Sequence, residues 1–478
     1  MKRKGFLFLI NLMLSISYLI CFFVFCFYIL KLNFYFDPAE NETINYVTNL
    51  YKLNNISLEE NLKTGLFRIY PDLYHRLLTF SSPKNLLFNS RLVSQIFVFL
   101  ISGILYLWSR KFKVDKILTL SICLLPFGAF IFNAYYLIGR LDSQAIFLGL
   151  FSFYIIYNNY DFKTSFKNYI GSLSCYRFLL AGVILSLSIL SKQSMLLFIV
   201  LSNIPLIHFK FNLKVYLNYF VFNATILILI ILYWKIFNQN LFKESYLGLT
   251  LYSDNYNFES FKYEILSIFR YLPIHISVIF YGIYKNFRNK LFFVYTSIIF
   301  IYSIKLFLNI GSFYNDFHLI SLFSIIVLFY QFHNKKKILL IFSILSLGIN
   351  IFNINIFLFK KKLIQESEIV KKLIPNKNYI TYREDNFLLS SGNLITSDFH
   401  GMIYFLKHHQ NNYSKQVDEF FENTNKQIRF KKYDGIIDGI NDELLSIFPE
   451  IKKYYVLDEV EEINPGFFKY KIKLYLPK

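Results

Sequence analysis

Asp37 and Glu40 open a short acidic run, Asp37-Pro38-Ala39-Glu40-Asn41-Glu42, just past an apolar stretch from Gly5 to Leu30 that holds no charged residue. Carboxylates at the edge of a membrane-length run suit one of two tasks, taking a proton from a hydroxyl or handling ions. Pro38 restricts Asp37 to extended backbone. A rigid position suits a base that must hold its aim, so Asp37 ranks ahead of Glu40 as catalytic base. The bland alternative is a helix cap: apolar residues at 44, 47, 50 and 51 have helical spacing, and acids are favoured at a helix N-terminus.

Three further clusters carry polar chemistry. In Gly139-Arg140-Leu141-Asp142-Ser143 an Arg and an Asp lie two apart at the edge of an apolar run. Such a pair either pins helix ends as an ion pair, or offers a planar cation for phosphate beside an acid for a hydroxyl or metal. Ser191-Lys192-Gln193-Ser194 interrupts an apolar stretch, so Lys192 either snorkels to the surface or meets an anion in a cavity. Asn309 to His318, with Asn315 and Asp316, reads as a compact turn into another apolar run. Asp316 and His318 alone are weak grounds for a metal site.

The elements that must position these groups are membrane spans. Of 478 residues 55% are hydrophobic and 17% charged, too apolar a balance for a soluble core to hide. Eleven runs are long enough to read as spans, near 5–30, 90–108, 117–137, 143–158, 177–190, 194–208, 215–237, 268–284, 291–309, 317–332 and 338–359. The fifth and sixth are short and nearly continuous, so one of them could be re-entrant. The net charge of +20 falls mostly in short connections, as topology determinants and not as a nucleic-acid surface. With Met1-Lys2-Arg3-Lys4 cytoplasmic, the acidic loop 31–89, the Gly139–Asp142 turn and Lys192 all fall on the outer face. Lys360-Lys361-Lys362, which this arrangement leaves outside, fits it poorly. Cys21, Cys26, Cys123 and Cys175 all lie in or beside apolar runs, which suits small hydrophobes better than disulfides.

Residues 363–478 differ. Mixed polar and apolar residues, with strand-like runs at Tyr379–Tyr382, Asn393–Thr396 and Tyr454–Leu457 and helix-like stretches at Ile403–His408 and Val417–Phe421, predict a small α/β or α+β extracytoplasmic domain. Asp434 and Asp438 read there as turn and surface acids. Residues 1–362 form the membrane domain, with its outer loop at 31–89.

The order of these features resembles the multispanning glycosyltransferases of the GT-C fold, the group of protein O-mannosyltransferases and aminoarabinose transferases. The matching features are a first span, the acids Asp37 and Glu40 opening a long outer loop, an amphipathic stretch at 44–51, and Ile69-Tyr70-Pro71-Asp72-Leu73-Tyr74. Arg140-Leu141-Asp142, then Leu180-Ala181-Gly182 through Leu190-Ser191-Lys192-Gln193, then Gly311 to Asn315 follow in turn. Two departures stand out: the usual adjacent Asp-Glu is spread to Asp37-x-x-Glu40, and the usual double proline is Pro71-Asp72.

The resemblance implies transfer of a sugar from a polyprenyl-phosphate carrier to a glycan, lipid or protein acceptor at the outer face of a bacterial inner membrane. It implies Asp37 or Glu40 as catalytic group, and Arg140, Asp142, Lys192, Gln193, Tyr70, Asp72 and Asn315 as substrate-binding residues. No cofactor is implied with certainty, and a divalent metal is left open. Two rival classes share these features in part. A lipid-linked oligosaccharide flippase predicts charged or Gly/Pro-broken positions at mid-span, which are few. A polysaccharide polymerase or ligase predicts its long loop late in the chain, not early.

Overall fold

The computed structural model describes residues 2–31, 40, 43–44, 46–47, 73–82, 85–114, 116, 119, 122–123, 137, 139–157, 173–204, 206, 212–237, 273–285, 297–299, 301, 318–349, 366–374, 377–381, 418–439, 442–463 and 470–478. Nine helices of its first 332 residues matter here: α1 (Lys2–Lys31), α2 (Leu73–Leu78), α3 (Leu86–Lys111), α4 (Asp142–Tyr157), α5 (Cys175–Ser191), α6 (Leu197–Asn203), α7 (Leu213–Phe237), α8 (Pro273–Lys285) and α9 (His318–Phe332). They form because long apolar runs lack interior prolines. Basic residues in the last turns of α1, α3, α7 and α8 complement the helix dipoles.

Among the described residues two helices are long and apolar enough to cross a bilayer alone, Leu86–Lys111 and Leu213–Ile236. Shorter apolar helices, including Asp142–Tyr157 and Cys175–Ser191, accompany them. The count of eleven spans is therefore carried only in part by the described residues. The outward faces are apolar: Phe6, Leu9, Met13, Ile20, Phe23 and Phe27 on α1 are exposed. A stripe of that size requires lipid and not water around it.

α5 packs against both α4 and α7. Gly182 makes the second approach possible, because a Cβ there would meet the Phe222 carbonyl oxygen at 2.8 Å. Small residues at such crossings are how helices gain contact in lipid. Serines stitch the α4–α5 contact, with Ser188 Oγ donating to the Ala145 carbonyl at 2.6 Å and Ser152 Oγ to the Ala181 carbonyl at 2.8 Å. Asn203 and Asn223 exchange reciprocal amide bonds of 3.0 and 2.9 Å between α6 and α7.

The C-terminal part holds a four-stranded sheet of order β1-β2-β4-β3: β1 (Tyr379–Thr381), β2 (Gly435–Asp438), β3 (Tyr455–Ile463) and β4 (Tyr470–Pro477). β1 and β2 run parallel, and the other pairs antiparallel. Every residue of β2 is buried, since both sheet faces are covered. One face packs Ile436 against Phe420, Ile428, Leu444 and Phe448; the other packs Ile437 against Ile369, Val370 and Leu474. The expected mixture of strands and helices is present, with strands at Tyr379 and Tyr455 and a helix over 418–429. The expected elements at 393–396 and 403–408 lie outside the described residues.

Asp438 corrects the sequence reading. It is fully buried, and its carboxylate accepts backbone N–H bonds from Gly439, Leu444 and Leu445 at 2.9, 3.2 and 3.1 Å. It anchors the helix that follows β2 and is no surface acid.

Candidate functional site

One face of α3 builds the site. Ser90, Arg91, Ser94 and Gln95 are spaced i, i+1, i+4 and i+5, which places them on one side of the helix, and all four are buried. A polar face on an otherwise apolar helix must find partners inside the protein. Gln95 Nε2 donates to the Cys26 carbonyl at 3.0 Å, and Arg91 Nη1 to the Ile29 carbonyl at 2.9 Å. The first turns of α3 thus grip the end of α1.

Arg91 also makes a two-pronged bond to Glu40. Its Nε lies 2.7 Å from Oε1 and its Nη2 2.7 Å from Oε2, with both side chains wholly buried. The backbone N–H of Gly139 donates to Glu40 Oε1 at 2.8 Å. Three donors therefore converge on this carboxylate. Gly139 is glycine by necessity: a Cβ there would strike Ser90 Cβ at 2.7 Å. The Ser94 hydroxyl donates to the next carbonyl, that of Arg140, at 3.0 Å.

Tyr74 on α2 caps this arrangement. Its hydroxyl donates to the Ser90 carbonyl at 3.3 Å and lies 3.3 Å from the Ser94 hydroxyl. Burial, reinforced by the negative charges of Glu40 and Asp142, holds the phenol above its ordinary titration range, so it remains a donor.

The second half of the site begins one residue further on. Asp142, at the start of α4, is fully buried; its Oδ1 receives the Lys192 ammonium at 2.6 Å, and its Oδ2 faces Arg140 Nε at 3.1 Å. Lys192 reaches this place because α5 ends at Ser191. Its backbone then turns extended, at φ −149 and ψ 120, before a 3₁₀ turn over Gln193–Leu196. Lys192 and Arg140 are both nearly buried, so the ammonium lines the interior and does not snorkel outward.

The structure thus joins four of the sequence candidates, Glu40, Arg140, Asp142 and Lys192, through Gly139 and the face of α3. Gln193 sits beside Lys192 at the start of the 3₁₀ turn. Asp37, Tyr70, Asp72 and Asn315 lie outside the described residues. Sequence reasoning missed Ser90, Arg91, Ser94 and Gln95, and carried Tyr74 only as the last residue of the Ile69–Tyr74 segment, with no role of its own. The signal was present in the four polar residues at helical spacing within the first turns of an apolar run.

Chemically, the arrangement offers two buried cations on one shared carboxylate, beside a second carboxylate held by a fork. Cations grouped in this way suit a phosphate, which accepts from Arg as a fork and from Lys as a point charge. Among the described residues no three of His, Cys, Asp and Glu are grouped as a metal site.

No protein-family model and no curated protein sequence matches this chain. Solved structures do. The crystal structure of ArnT from Cupriavidus metallidurans in the apo state aligns over 96% of this chain and 97% of its own, with a TM-score of 0.53 at 10% identity. The same protein bound to undecaprenyl phosphate aligns over 96% and 98%, with a TM-score of 0.49 at 10% identity. The archaeal oligosaccharyltransferase AglB from Archaeoglobus fulgidus, in complex with an inhibitory peptide and a dolichol-phosphate, aligns over 97% of this chain and 73% of its own, with a TM-score of 0.48 at 10% identity. The likeness to apo ArnT, over nearly the whole of both chains, shows that this protein has the GT-C fold.

Proposed function

We propose that this protein is a membrane glycosyltransferase that moves a sugar from a polyprenyl-phosphate carrier to an acceptor hydroxyl at the outer membrane face. The observation that carries the reading is the bond from Gly139 N–H to Glu40 Oε1. It ties the acidic segment after α1 to the turn bearing Arg140 and Asp142, which in turn holds Lys192. Asp37 and Glu40 are three positions apart in the chain, a reach of at most about 11 Å. Asp37 and the pair of cations therefore belong, by chain length, to one neighbourhood.

In the step we infer, the acceptor oxygen attacks the anomeric carbon as its proton passes to a carboxylate. The bond from that carbon to the carrier's phosphate oxygen breaks, and the electron pair leaves with the lipid phosphate. Arg140 and Lys192 stabilise the charge that grows on that phosphate. Asp37 is the base of this reading. Glu40 is poorly suited to it, because its oxygens are directed at Arg91 and Gly139. Asp142 holds the two cations side by side, Tyr70, Asp72, Gln193 and Asn315 contribute to the substrate pocket, and residues 363–478 form an outer-face domain that supports the loops or docks the acceptor.

The fold shared with apo ArnT supports this reading. The test uses the full chain in lipid nanodiscs with a panel of radiolabelled undecaprenyl-phosphate hexoses and pentoses. The reading expects protein-dependent release of undecaprenyl phosphate from at least one donor. It also expects a loss in Arg140→Ala and Lys192→Ala that raises the donor requirement more than the acceptor requirement. Passage of an intact donor across a bilayer without sugar release would favour a transporter instead.

A further inference from the structure

We propose that Arg91 and Glu40 form a positioning unit that sets the place of the Gly139–Asp142 turn, and with it the Arg140 cation. This rests on the glycosyltransferase reading only for what the turn is used for; the positioning itself stands on the contacts. Arg91 is fixed from two sides. Its Nη1 is held by the Ile29 carbonyl at the end of α1, and its own helix is pinned to α1 again by Gln95. A guanidinium so placed is a rigid fork, and its Nε and Nη2 donors dictate where the Glu40 carboxylate lies.

Glu40 passes that placement on. Its Oε1 accepts both from Arg91 Nε and from the Gly139 backbone N–H, so the turn is hung from a carboxylate whose position α3 has fixed. The turn has little freedom to sit elsewhere. A side chain at 139 would collide with Ser90, and the Arg140 carbonyl is held by Ser94 one helical turn beyond. The residue after Gly139 supplies the Arg140 side chain, which meets Asp142, and Asp142 meets Lys192. A chain of contacts thus runs from the end of α1 through Arg91, Glu40 and Gly139 to the Arg140 and Lys192 cations. Buried hydrogen bonds to charged groups are stronger than those between neutral groups, enough to hold one arrangement over others.

A plain structural ion pair would stabilise the protein and do nothing more. A positioning unit couples to Arg140, and the coupling is measurable. The experiment compares Arg91→Met, Glu40→Gln, Arg140→Ala and the double variant Arg91→Met/Arg140→Ala, all in the full chain in nanodiscs. Two readouts are taken: hydrogen exchange of peptides covering 139–146, and the affinity for undecaprenyl phosphate. The proposal expects exchange over 139–146 to quicken about tenfold or more in Arg91→Met and in Glu40→Gln alike. Peptides from the C-terminal sheet should be unaffected.

It further expects both variants to bind undecaprenyl phosphate about tenfold more weakly, and the double variant to bind no more weakly than Arg140→Ala alone. Unchanged exchange over 139–146, or fully additive losses of affinity, would overturn it. If the unaltered protein does not bind undecaprenyl phosphate, the glycosyltransferase reading fails while the exchange arm still decides the positioning. Should Arg91→Met not fold, Arg91→Lys replaces it. That variant keeps the charge but cannot make the fork, and the proposal expects it to release the turn as well.

Discussion

Glu40 and Gly139 are 99 positions apart in the chain, yet the Gly139 N–H lies 2.8 Å from the Glu40 carboxylate. This bond links the segment after α1 to the turn before α4. It also changes the role of Glu40. A carboxylate that takes a proton from substrate needs a lone pair facing substrate, and here three donors from the protein converge on it.

Asp142 should be more costly to lose than either cation it binds. Asp142→Ala leaves Arg140 and Lys192 buried without their shared carboxylate. Removal of one member of such a buried set lowers stability by about 3–5 kcal/mol. Thermal unfolding in nanodiscs should show Asp142→Ala well below the unaltered protein, and Asp142→Leu/Lys192→Met recovering part of the loss. An Asp142→Ala protein of normal stability would argue that other groups compensate the two cations.

The Asn203–Asn223 pair gives a test of the helical body that does not depend on function. Each amide donates to the other, so truncation of one leaves the other with an unmet donor and acceptor. Polar pairs of this kind in membrane proteins contribute about 0.6–1.7 kcal/mol. Asn203→Leu and Asn223→Leu should each lower the unfolding temperature, and the double variant should be no less stable than the worse single. Additive losses would mean that the two amides act separately.

In the C-terminal sheet, burial raises the Asp438 carboxyl above its ordinary value, more than its three backbone hydrogen bonds lower it. An acid with a raised pKa in the folded state binds its proton more tightly there than in the unfolded chain. Its contribution is therefore fully present at low pH, and it is lost as pH rises from the ordinary carboxylate range through the raised folded value. Hydrogen exchange of β2 in the full chain should quicken over that interval. Asp438→Asn should flatten the dependence; an unchanged slope would assign it to another group.

The helical body was legible in the sequence because runs such as 90–108 and 215–237 are apolar and free of proline over a membrane's length. They became Leu86–Lys111 and Leu213–Phe237. The run at 177–190 became Cys175–Ser191 and that at 143–158 became Asp142–Tyr157. Arg140, Asp142 and Lys192 stood out because charges at the edges of such runs are expensive. Arg91 did not stand out. One charge at the start of a span reads as a topology signal, and its partner Glu40 is 51 positions away. Asp438 was misread for a related reason: a short strand, Gly435-Ile436-Ile437-Asp438, betrays nothing of the helix N–H groups that its last side chain will meet. The strand order β1-β2-β4-β3 depends on pairings between distant segments, which local pattern does not encode.

The most direct measurement of the central claim is sugar transfer from a turned-over undecaprenyl-phosphate donor by Asp37→Asn and Glu40→Gln, at matched protein levels and across pH. With Asp37 as base, Asp37→Asn should bind donor normally and lose transfer by at least about 100-fold. Glu40→Gln should retain more activity and keep the acidic limb of the pH profile where it was. Near-normal transfer by Asp37→Asn, together with loss of that limb in Glu40→Gln, would contradict the account and make Glu40 the base.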